Sequence, residues 1–258
     1  MRLDLPMHLS ASQLTCYASC PRKYRYRYVD HREPETRSRA LALGTAFHGA
    51  LDVYFGARRR GEHLSGEEVK TVFETDIRTL FDVQGHPLTA EEIEEAVAEG
   101  RGLLDAFLAE CAELPAVRTE LEFKLERGEG ARPLVGFFDL VLEDGTIVEL
   151  KTAARRYSDL DLRTNLQFAA YRWAGSELGA SGVRVIAVTK TKVPKVQTVE
   201  LGVATEHQGR WFLRVARDVE KAIESGAFPP SPGPMCGGCE YAQACADETG
   251  EGDASEAA

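Results

Sequence analysis

Residues 136–152 read GFFDLVLEDGTIVELKT and form the most informative stretch of the sequence. Two runs rich in Val, Leu, Phe and Ile flank a central Asp-Gly pair, a pattern typical of a β-hairpin. Three polar residues interrupt the apolar runs, namely Asp139 in the first strand and Glu149 and Lys151 in the second. Because successive side chains of a strand point to opposite faces, Glu149 and Lys151 share one face.

The length of the hairpin turn decides where Asp139 points. A two-residue loop would pair Asp139 with Leu150 and place it on the opposite, apolar face. A three-residue loop pairs Asp139 with Glu149 and requires Gly145 in the left-handed conformation. We favour the three-residue loop, because it gathers Asp139, Glu149 and Lys151 on one face. The other face then carries apolar residues: Leu140, Leu142, Val148 and Leu150.

Two carboxylates that lie opposite each other repel, which destabilises a sheet. A hard divalent cation would remove that penalty, since Mg²⁺ or Mn²⁺ binds carboxylates together with waters and phosphate oxygens. The ammonium group of Lys151 could then orient or help deprotonate an attacking water and offset the charge of a phosphate. The alternative is a salt bridge of Lys151 with Glu149 or Asp139 that carries no chemistry.

The rest of the chain predicts a mixed α/β (α+β) fold. Capping-box patterns at Ser10, Ser65 and Thr89 predict three helix starts, and Cys20-Pro21 should end the first helix. The further elements that we expect are strands at 117–126, 132–142 and 146–152, a helix at 160–178, strands at 183–190 and 195–201, and a helix at 205–225. This order fits a mixed sheet with helices packed on it.

Charge is distributed unevenly over the 258 residues, which carry 41 acidic and 31 basic side chains for a net charge of −10. The balance excludes a protein that coats DNA with a generally basic surface, although a local basic groove remains compatible with it. Residues 67–99 hold ten acids against two bases, and the acidic tail 247–258 should be disordered. Residues 21–39 and 151–195 are basic, so we expect the acidic helices to face away from a polyanion.

Three tyrosines, Tyr24, Tyr26 and Tyr28, alternate with arginine and lysine in the first basic segment. Such a composition suits phosphate contacts combined with base stacking. It equally suits an amphipathic strand or helix that packs its tyrosines inward, and the sequence leaves both interpretations open.

The six cysteines indicate metal or redox chemistry in the cytoplasm. We expect a cytoplasmic chain, because the segment MRLDLPMHLS lacks the apolar run of a signal peptide and no run approaches the ~20 residues of a membrane span. Cys236, Cys239 and Cys245 follow a proline-rich loop in a C-x2-C-x5-C pattern. With a fourth cysteine, this spacing suits zinc as well as an iron–sulfur cluster. Cys111, in an apolar helix, is most simply a core thiol.

Four separated motifs together resemble the PD-(D/E)XK nuclease superfamily, in particular its RecB-like branch. This branch includes the AddB subunit and the iron–sulfur nucleases of CRISPR spacer acquisition. The motifs are LSASQLTCYASCPRKYRYRY (9–28), GTAFHGAL (44–51), the GFFD…ELKT hairpin and NLQFAAY (165–171). The resemblance implies a restriction-endonuclease-like core in a single domain, 1–246, with a helical insertion at about 56–115.

The resemblance also implies a role for each site residue. His48, Asp139, Glu149 and the carbonyl of Leu150 become metal ligands, and Lys151 becomes the catalytic lysine. Glu120 would approach the metal through water, and Glu122 is the less favoured candidate for this role. Gln167 and Tyr171 would orient the lysine or the scissile strand. Glu stands at the second acidic position, where most relatives of the branch have Asp. Taken singly, His48, Gln167, Tyr171 and Glu120 could also be ordinary structural residues.

For the cysteines, the resemblance implies a [4Fe–4S] cluster held by Cys20, Cys236, Cys239 and Cys245, with Cys16 as the backup ligand. The cluster would clasp the two ends of the chain together. The implied function is a metal-dependent DNA exonuclease that acts on single strands or frayed ends, with helicase or integrase-type proteins as potential partners. The alternatives are a non-cleaving DNA-end module with a vestigial site and, ranked lower, a sequence-specific endonuclease.

Overall fold

The structure, a computed structural model, describes residues 5–36, 38–83 and 88–249. The helices are α1 (Ala11–Ser19), α2 (Pro21–Tyr28), α3 (Arg39–Arg59), α4 (Gly66–Val83), α5 (Ala90–Cys111), α6 (Asp159–Thr164), α7 (Leu166–Glu177), α8 (Glu206–Glu224) and α9 (Ala242–Thr249). The strands are β1 (Ala116–Leu125), β2 (Leu134–Leu142), β3 (Thr146–Ala153), β4 (Gly182–Thr189) and β5 (Val196–Glu200). The chain divides into two compact units, which are described separately.

The strands form one mixed sheet in the order β1-β2-β3-β4-β5. Strand β3 pairs antiparallel with β2 and parallel with β4, and β5 returns antiparallel to β4. The parallel pair needs a crossover, which α6 and α7 supply. The mixed α/β class is therefore confirmed, and the strand boundaries lie within two residues of the predicted ones.

The hairpin between β2 and β3 has the predicted three-residue turn. Leu140 pairs with Val148 and Val141 with Ile147, a register that places Asp139 opposite Glu149 when it is continued by one position. Gly145 has φ +80°, the left-handed conformation that this turn requires. The two-residue alternative is excluded by this register.

The larger unit, residues 39–123 and 136–209, contains the core of the sheet. Helices α3, α4 and α5 pack on the face that carries Leu140, Leu142, Val148 and Leu150. Phe73 on α4 lies so close to α5 that a Cβ at Gly100 would stand 1.8 Å from its ring, so glycine is required there. Helix α7 covers the opposite face, where Gly175 approaches Ile147 and Val183. The side chains of Ser65 and Thr89 cap α4 and α5 as predicted.

The smaller unit, residues 1–38, 124–135 and 210–258, contains α1, α2, most of α8 and α9. Ser10 caps α1, and α2 begins at Pro21, whose fixed φ suits a first helical position. Tyr24 and Tyr26 are buried, and Tyr24 packs against Tyr17 and Phe228. The inward-packing interpretation therefore holds for Tyr24 and Tyr26, and the base-stacking interpretation is wrong for them.

A buried ion pair lies beneath α8 in the smaller unit. Nη2 of Arg127 stands 3.0 Å from Oε2 of Glu220, and both side chains are 1% exposed. The main-chain N–H of Arg132 donates to the other oxygen of Glu220 at 2.7 Å. Buried charges of this kind are tolerated because each is paired and hydrogen-bonded.

Two predicted boundaries differ from the structure. The helix expected at 160–178 is interrupted at Asn165, whose side chain accepts hydrogen bonds from the N–H groups of Gln167 and Phe168 and starts a new helix there. Residues 247–249, expected to be disordered, end α9, whereas 250–258 lie outside the described residues. The single domain expected over 1–246 stays a prediction. Within the described residues, no helix combines the length and apolar character that crossing a membrane requires.

Candidate active site

Asp139 lies between β3 and α3. The N–H of Leu150 donates to Oδ2 of Asp139 at 2.6 Å, so a side chain of β2 joins β3 at this position. Oδ1 of Asp139 stands 3.2 Å from Nδ1 of His48 on α3. Gly44, one turn before His48, faces Thr152 of β3, and a Cβ there would be 3.7 Å from Oγ1 of Thr152. The hairpin and the GTAFHGAL helix thus meet at this carboxylate.

Glu120 completes a group that could hold a cation. One ligand atom each of His48, Glu120 and Asp139 lies within 4.8 Å of the other two. Glu120 adopts φ +44°, a left-handed backbone that costs a residue with a long side chain on the order of 1–3 kcal/mol. Residues with backbone strain of this size cluster at functional sites, and they persist only where the surrounding structure holds them in place.

Glu149 has a different set of contacts. Its Oε1 lies 2.5 Å from Nζ of Lys151 and accepts a hydrogen bond from Nε2 of Gln167 at 2.9 Å. Its Oε2 is buried and has no hydrogen-bond partner among the described residues. An unpaired buried carboxylate oxygen is costly, and a cation bound beside it would remove that cost. Glu149 therefore fits the role of a metal ligand, although it lies outside the group of His48, Glu120 and Asp139.

Burial and mutual repulsion disfavour the ionised forms of Glu149 and Glu120. Burial and the charge of Asp139 raise the pKa of Glu149 to about 8, against the opposing effect of Lys151. Burial and Asp139 also raise the pKa of Glu120. For His48, burial alone would lower the pKa, but the hydrogen bond and charge of Asp139 outweigh it and the pKa is raised. A divalent cation would reverse these shifts on the acids, because it favours their ionised forms.

Gln167 and Tyr171 lie one turn apart on α7, as predicted. The ring of Tyr171 packs edge-on against Phe123 and Phe138, with ring centres 6.1 and 5.8 Å away. Burial and the charge of Glu149 raise the pKa of Tyr171 well above its usual range, so its hydroxyl stays protonated. Gln167 touches Glu149 directly, whereas Tyr171 forms the aromatic wall behind it.

The main-chain N–H of Leu150 donates to the carboxylate of Asp139. Glu122, the less favoured acidic candidate, is exposed on β1.

No sequence pattern singled out Tyr157, six residues after Lys151. Its ring packs edge-on against Phe168 at 5.3 Å. Burial raises the pKa of Tyr157, and the nearby charge of Lys151 opposes that rise. Only the folded arrangement of the loop after β3 brings Tyr157 to the site.

In the smaller unit, four cysteines line a single cavity of about 210 Å³: Cys20, Cys236, Cys239 and Cys245. Cys16 is not among the residues that line it. A tetrahedral zinc ion would hold its sulfurs about 3.8 Å apart, given Zn–S bonds near 2.3 Å. Among the described residues, no three cysteines bring their sulfurs within 4.8 Å of one another.

Acidic residues of the C-terminal segment neutralise much of the basic helix α2. Oε2 of Glu248 lies 2.6 Å from Arg22, and Oε1 of Glu248 lies 2.7 Å from Arg32. Glu240 contacts Lys23 at 3.1 Å and Arg27 at 3.7 Å. Four cations of the basic segment thus pair with the segment that carries the last three cysteines: Arg22, Lys23, Arg27 and Arg32. The contribution of this segment to DNA binding stays a prediction.

Comparisons with known proteins agree with this geometry. A scan against protein families matches residues 8–246 to the PD-(D/E)XK nuclease superfamily. A crystal structure from Eubacterium rectale, described as a "putative exonuclease", matches with a TM-score of 0.58 and 15% identity over 91% of this chain and 88% of that one. A structure designated SSO0001 matches with a TM-score of 0.45 and 14% identity over 92% and 84% of the two chains. None of the curated proteins compared with the chain matches it.

A five-stranded mixed sheet flanked by helices, with an acid-x-lysine strand at its centre, defines a restriction-endonuclease-like fold. The chain belongs to the PD-(D/E)XK nuclease superfamily.

Proposed function

We propose that the protein is a metal-dependent DNA exonuclease that acts on single strands or frayed ends. The observation that carries the proposal is the state of Glu149, which Lys151 and Gln167 hold by one oxygen while the other is buried without a partner among the described residues. A bound cation would give this buried oxygen the partner that Lys151 and Gln167 do not supply. The free oxygen of Glu149 and the group of His48, Glu120 and Asp139 would together supply the ligands of a divalent cation.

Each residue of the site has a distinct role in this proposal. Asp139, Glu149, His48 and the carbonyl of Leu150 hold the cation, with Glu120 contributing directly or through water. When bound, the cation activates a water and neutralises charge that develops on the phosphate. An imidazole ligand favours Mn²⁺ over Mg²⁺, since Mg²⁺ prefers oxygen ligands in near-ideal octahedral geometry. Lys151 orients the attacking water and offsets phosphate charge, while Gln167 fixes Glu149.

The exonuclease assignment draws support from the Eubacterium rectale protein and from the RecB-like motifs. Cleavage that requires a strand end can be separated from internal cleavage by comparing linear and circular single strands. We expect release of nucleotides from end-labelled linear DNA with Mn²⁺ or Mg²⁺, little cleavage of the circle, and no activity in a chelator.

Lys151→Ala tests the site, with Lys221→Ala, an exposed lysine on α8, as the matched control. We expect Lys151→Ala to lose roughly 10²- to 10⁴-fold in rate, the usual contribution of a positioned proton-transfer group. Equal nucleotide release by wild type and Lys151→Ala would show that the assigned site is wrong. DNA binding without metal-dependent cleavage by the wild type would instead identify a non-cleaving DNA-end module.

The cavity lined by Cys20, Cys236, Cys239 and Cys245 is proposed to hold a [4Fe–4S] cluster. Support comes from the four cysteines that line one cavity and from the resemblance to the RecB-like branch, which implies a cluster at these positions. Protein purified without oxygen should be brown and carry about four irons per chain. Cys20→Ser should lose iron and Cys111→Ser should retain it. Colourless protein with stoichiometric zinc would overturn the assignment.

The RecB-like resemblance also supports a cytoplasmic setting with helicase or integrase-type partners. Purification of a tagged chain from its own cells, followed by identification of bound proteins, tests this part of the proposal. Recovery of a helicase or an integrase supports it, and recovery of neither counts against it.

A further inference from the structure

Two loops leave the sheet beside the candidate active site. Strands β3 and β4 are parallel, so their carboxyl ends lie at the same edge of the sheet. The loop at 154–158 follows β3 just after Lys151, and the loop at 190–195 follows β4. The N–H of Lys190 donates to the carbonyl of Ala153 at 2.7 Å and joins the two loops at their base.

Gln197 on β5 holds the first loop by two hydrogen bonds. The N–H of Tyr157 donates to Oε1 of Gln197 at 2.8 Å, and Nε2 of Gln197 donates to the carbonyl of Tyr157 at 3.0 Å. Gln197 is 9% exposed, so neither bond is readily exchanged for water. A buried amide that grips the main chain of one residue from both sides fixes the orientation of the loop.

Tyr157 also connects this loop to the site. The ring of Tyr157 packs against Phe168 on α7, and Phe168 follows Gln167, which holds Glu149. The loop after β3 and the proposed metal ligand are thus positioned by one connected set of contacts.

Most cations on these two loops have no acidic partner among the described residues. Within the described part of the chain, Arg156, Lys190 and Lys192 have no carboxylate within 4.0 Å, whereas Arg155 is paired with Asp161 at 2.7 Å. Lys190 and Lys192 line a cavity of about 410 Å³.

Glu99 from the acidic helix α5 lines the same cavity, and its carboxylate is paired with Arg39 at 2.9 Å. The edge of the sheet therefore presents positive charge that the described residues leave unpaired. A nucleic acid strand supplies regularly spaced negative charge to match it.

We infer that the two loops form a phosphate-binding element, in which Arg156 on the loop clamped by Gln197 and Lys192 on the loop after β4 contact the backbone of the single strand that extends from the metal site. This inference rests on the proposed function and adds the path of the substrate to it. Gln197 is a positioning residue in this scheme, because it acts through the loop and carries no charge. Removal of the cations and removal of the clamp should therefore weaken binding in different ways.

Binding of fluorescein-labelled oligothymidylate tests the inference. It is measured by anisotropy over a series of salt concentrations, in Ca²⁺ in place of Mg²⁺, with a gel to confirm that the strand stays intact. The variants are the double change Arg156→Ala with Lys192→Ala, and Gln197→Ala. The controls are Arg59→Ala, about 16 Å from His48 along α3, and Thr198→Ala, the exposed neighbour of Gln197. Circular dichroism confirms the fold of each variant.

We expect the double variant to bind more weakly and to lower the slope of log Kd against log salt by about 0.7 for each phosphate that is no longer neutralised. Gln197→Ala should raise Kd while leaving the slope unchanged, since all cations remain. Slopes of the double variant equal to those of Arg59→Ala would overturn the inference, as would a wild type that does not bind the strand.

Cleavage assays with Mn²⁺ separate this result from the proposed function. If the wild type cleaves DNA but the double variant binds the strand as well as the wild type does, the nuclease function stands and the inferred path of the strand is wrong. If the salt slopes are as expected but the wild type cleaves no DNA, the inferred path of the strand stands and the nuclease function is wrong.

Discussion

Gln167 donates its side-chain amide to Oε1 of Glu149 at 2.9 Å, the same oxygen that Lys151 contacts. The two contacts fix one edge of the carboxylate, and Oε2 of Glu149 remains buried without a partner in the described part of the chain. A partner that orients a ligand in this way sets both its geometry and its basicity. In the proposed function, Gln167 would set how Glu149 meets a cation, although it contributes no ligand atom itself.

Replacement of Gln167 by Ala should lower Mn²⁺ affinity and cleavage rate by roughly 10- to 100-fold, the usual cost of losing a hydrogen bond that orients a metal ligand. Gln167→Glu should be worse than Ala, because a second carboxylate would repel Glu149. Calorimetric titration with Mn²⁺ and initial cleavage rates measure both effects. Glu177→Ala, on the exposed end of α7, is the control and should match the wild type. Equal Mn²⁺ affinity of wild type and Gln167→Ala would show that Gln167 does not position a metal ligand.

Glu120 should lower the stability of the metal-free protein and strengthen the binding of a metal. Its left-handed backbone and its proximity to Asp139 both disfavour a charged, long side chain at this position. Asn tolerates the left-handed region and carries no charge, so Glu120→Asn should stabilise the metal-free protein by about 1 kcal/mol. The same change should weaken Mn²⁺ binding, because the group then holds one carboxylate fewer. Urea unfolding in a chelator measures the first effect and Mn²⁺ titration the second.

Glu122→Asn on the same strand is the matched control, with neither effect expected. If Glu120→Asn destabilises the metal-free protein and leaves Mn²⁺ affinity unchanged, Glu120 is an ordinary strand residue.

Local rules predicted the part of the site that lies within one hairpin. The three-residue turn around Gly145 fixed the register, and the register placed Asp139 opposite Glu149. Because Glu149 and Lys151 are two apart on a strand, their contact followed as well. The position of His48 required the resemblance to a family, since nothing in the helix pattern indicates which strand α3 approaches.

Contacts between residues distant in sequence could not be predicted. The clamp between Gln197 and Tyr157, the left-handed backbone of Glu120 and the pairing of Glu248 with Arg22 each depend on tertiary packing. The alternating tyrosines of α2 show the same limit. Their periodicity suited an exposed stacking surface and a buried face equally, and only the packing of Tyr24 against Phe228 distinguishes them.

Alkylation of Cys111 should depend strongly on pH. Burial raises the pKa of Cys111 to about 11, so at pH 8 about 0.1% of the thiol is ionised and reactive. Its rate of reaction with iodoacetamide should rise about tenfold for each pH unit until the pH approaches that pKa. In iron-free protein, Cys236, which is exposed, should react first at pH 8. Mass spectrometry of peptides gives both rates, and equal rates at pH 8 would show that α5 does not bury Cys111.

The ion pair of Glu220 with Arg127 should dominate the stability of the smaller unit. Both side chains are buried, so Glu220→Ala would leave Arg127 charged and without compensation, at a cost of roughly 3–5 kcal/mol in the free energy of unfolding. Glu224→Ala is the matched control one turn later on α8, because Glu224 pairs with Arg132 at 3.2 Å but is half exposed. That change should cost less than about 1 kcal/mol. Urea unfolding followed by circular dichroism compares the two variants, and similar losses in both would show that Glu220 is solvated in solution.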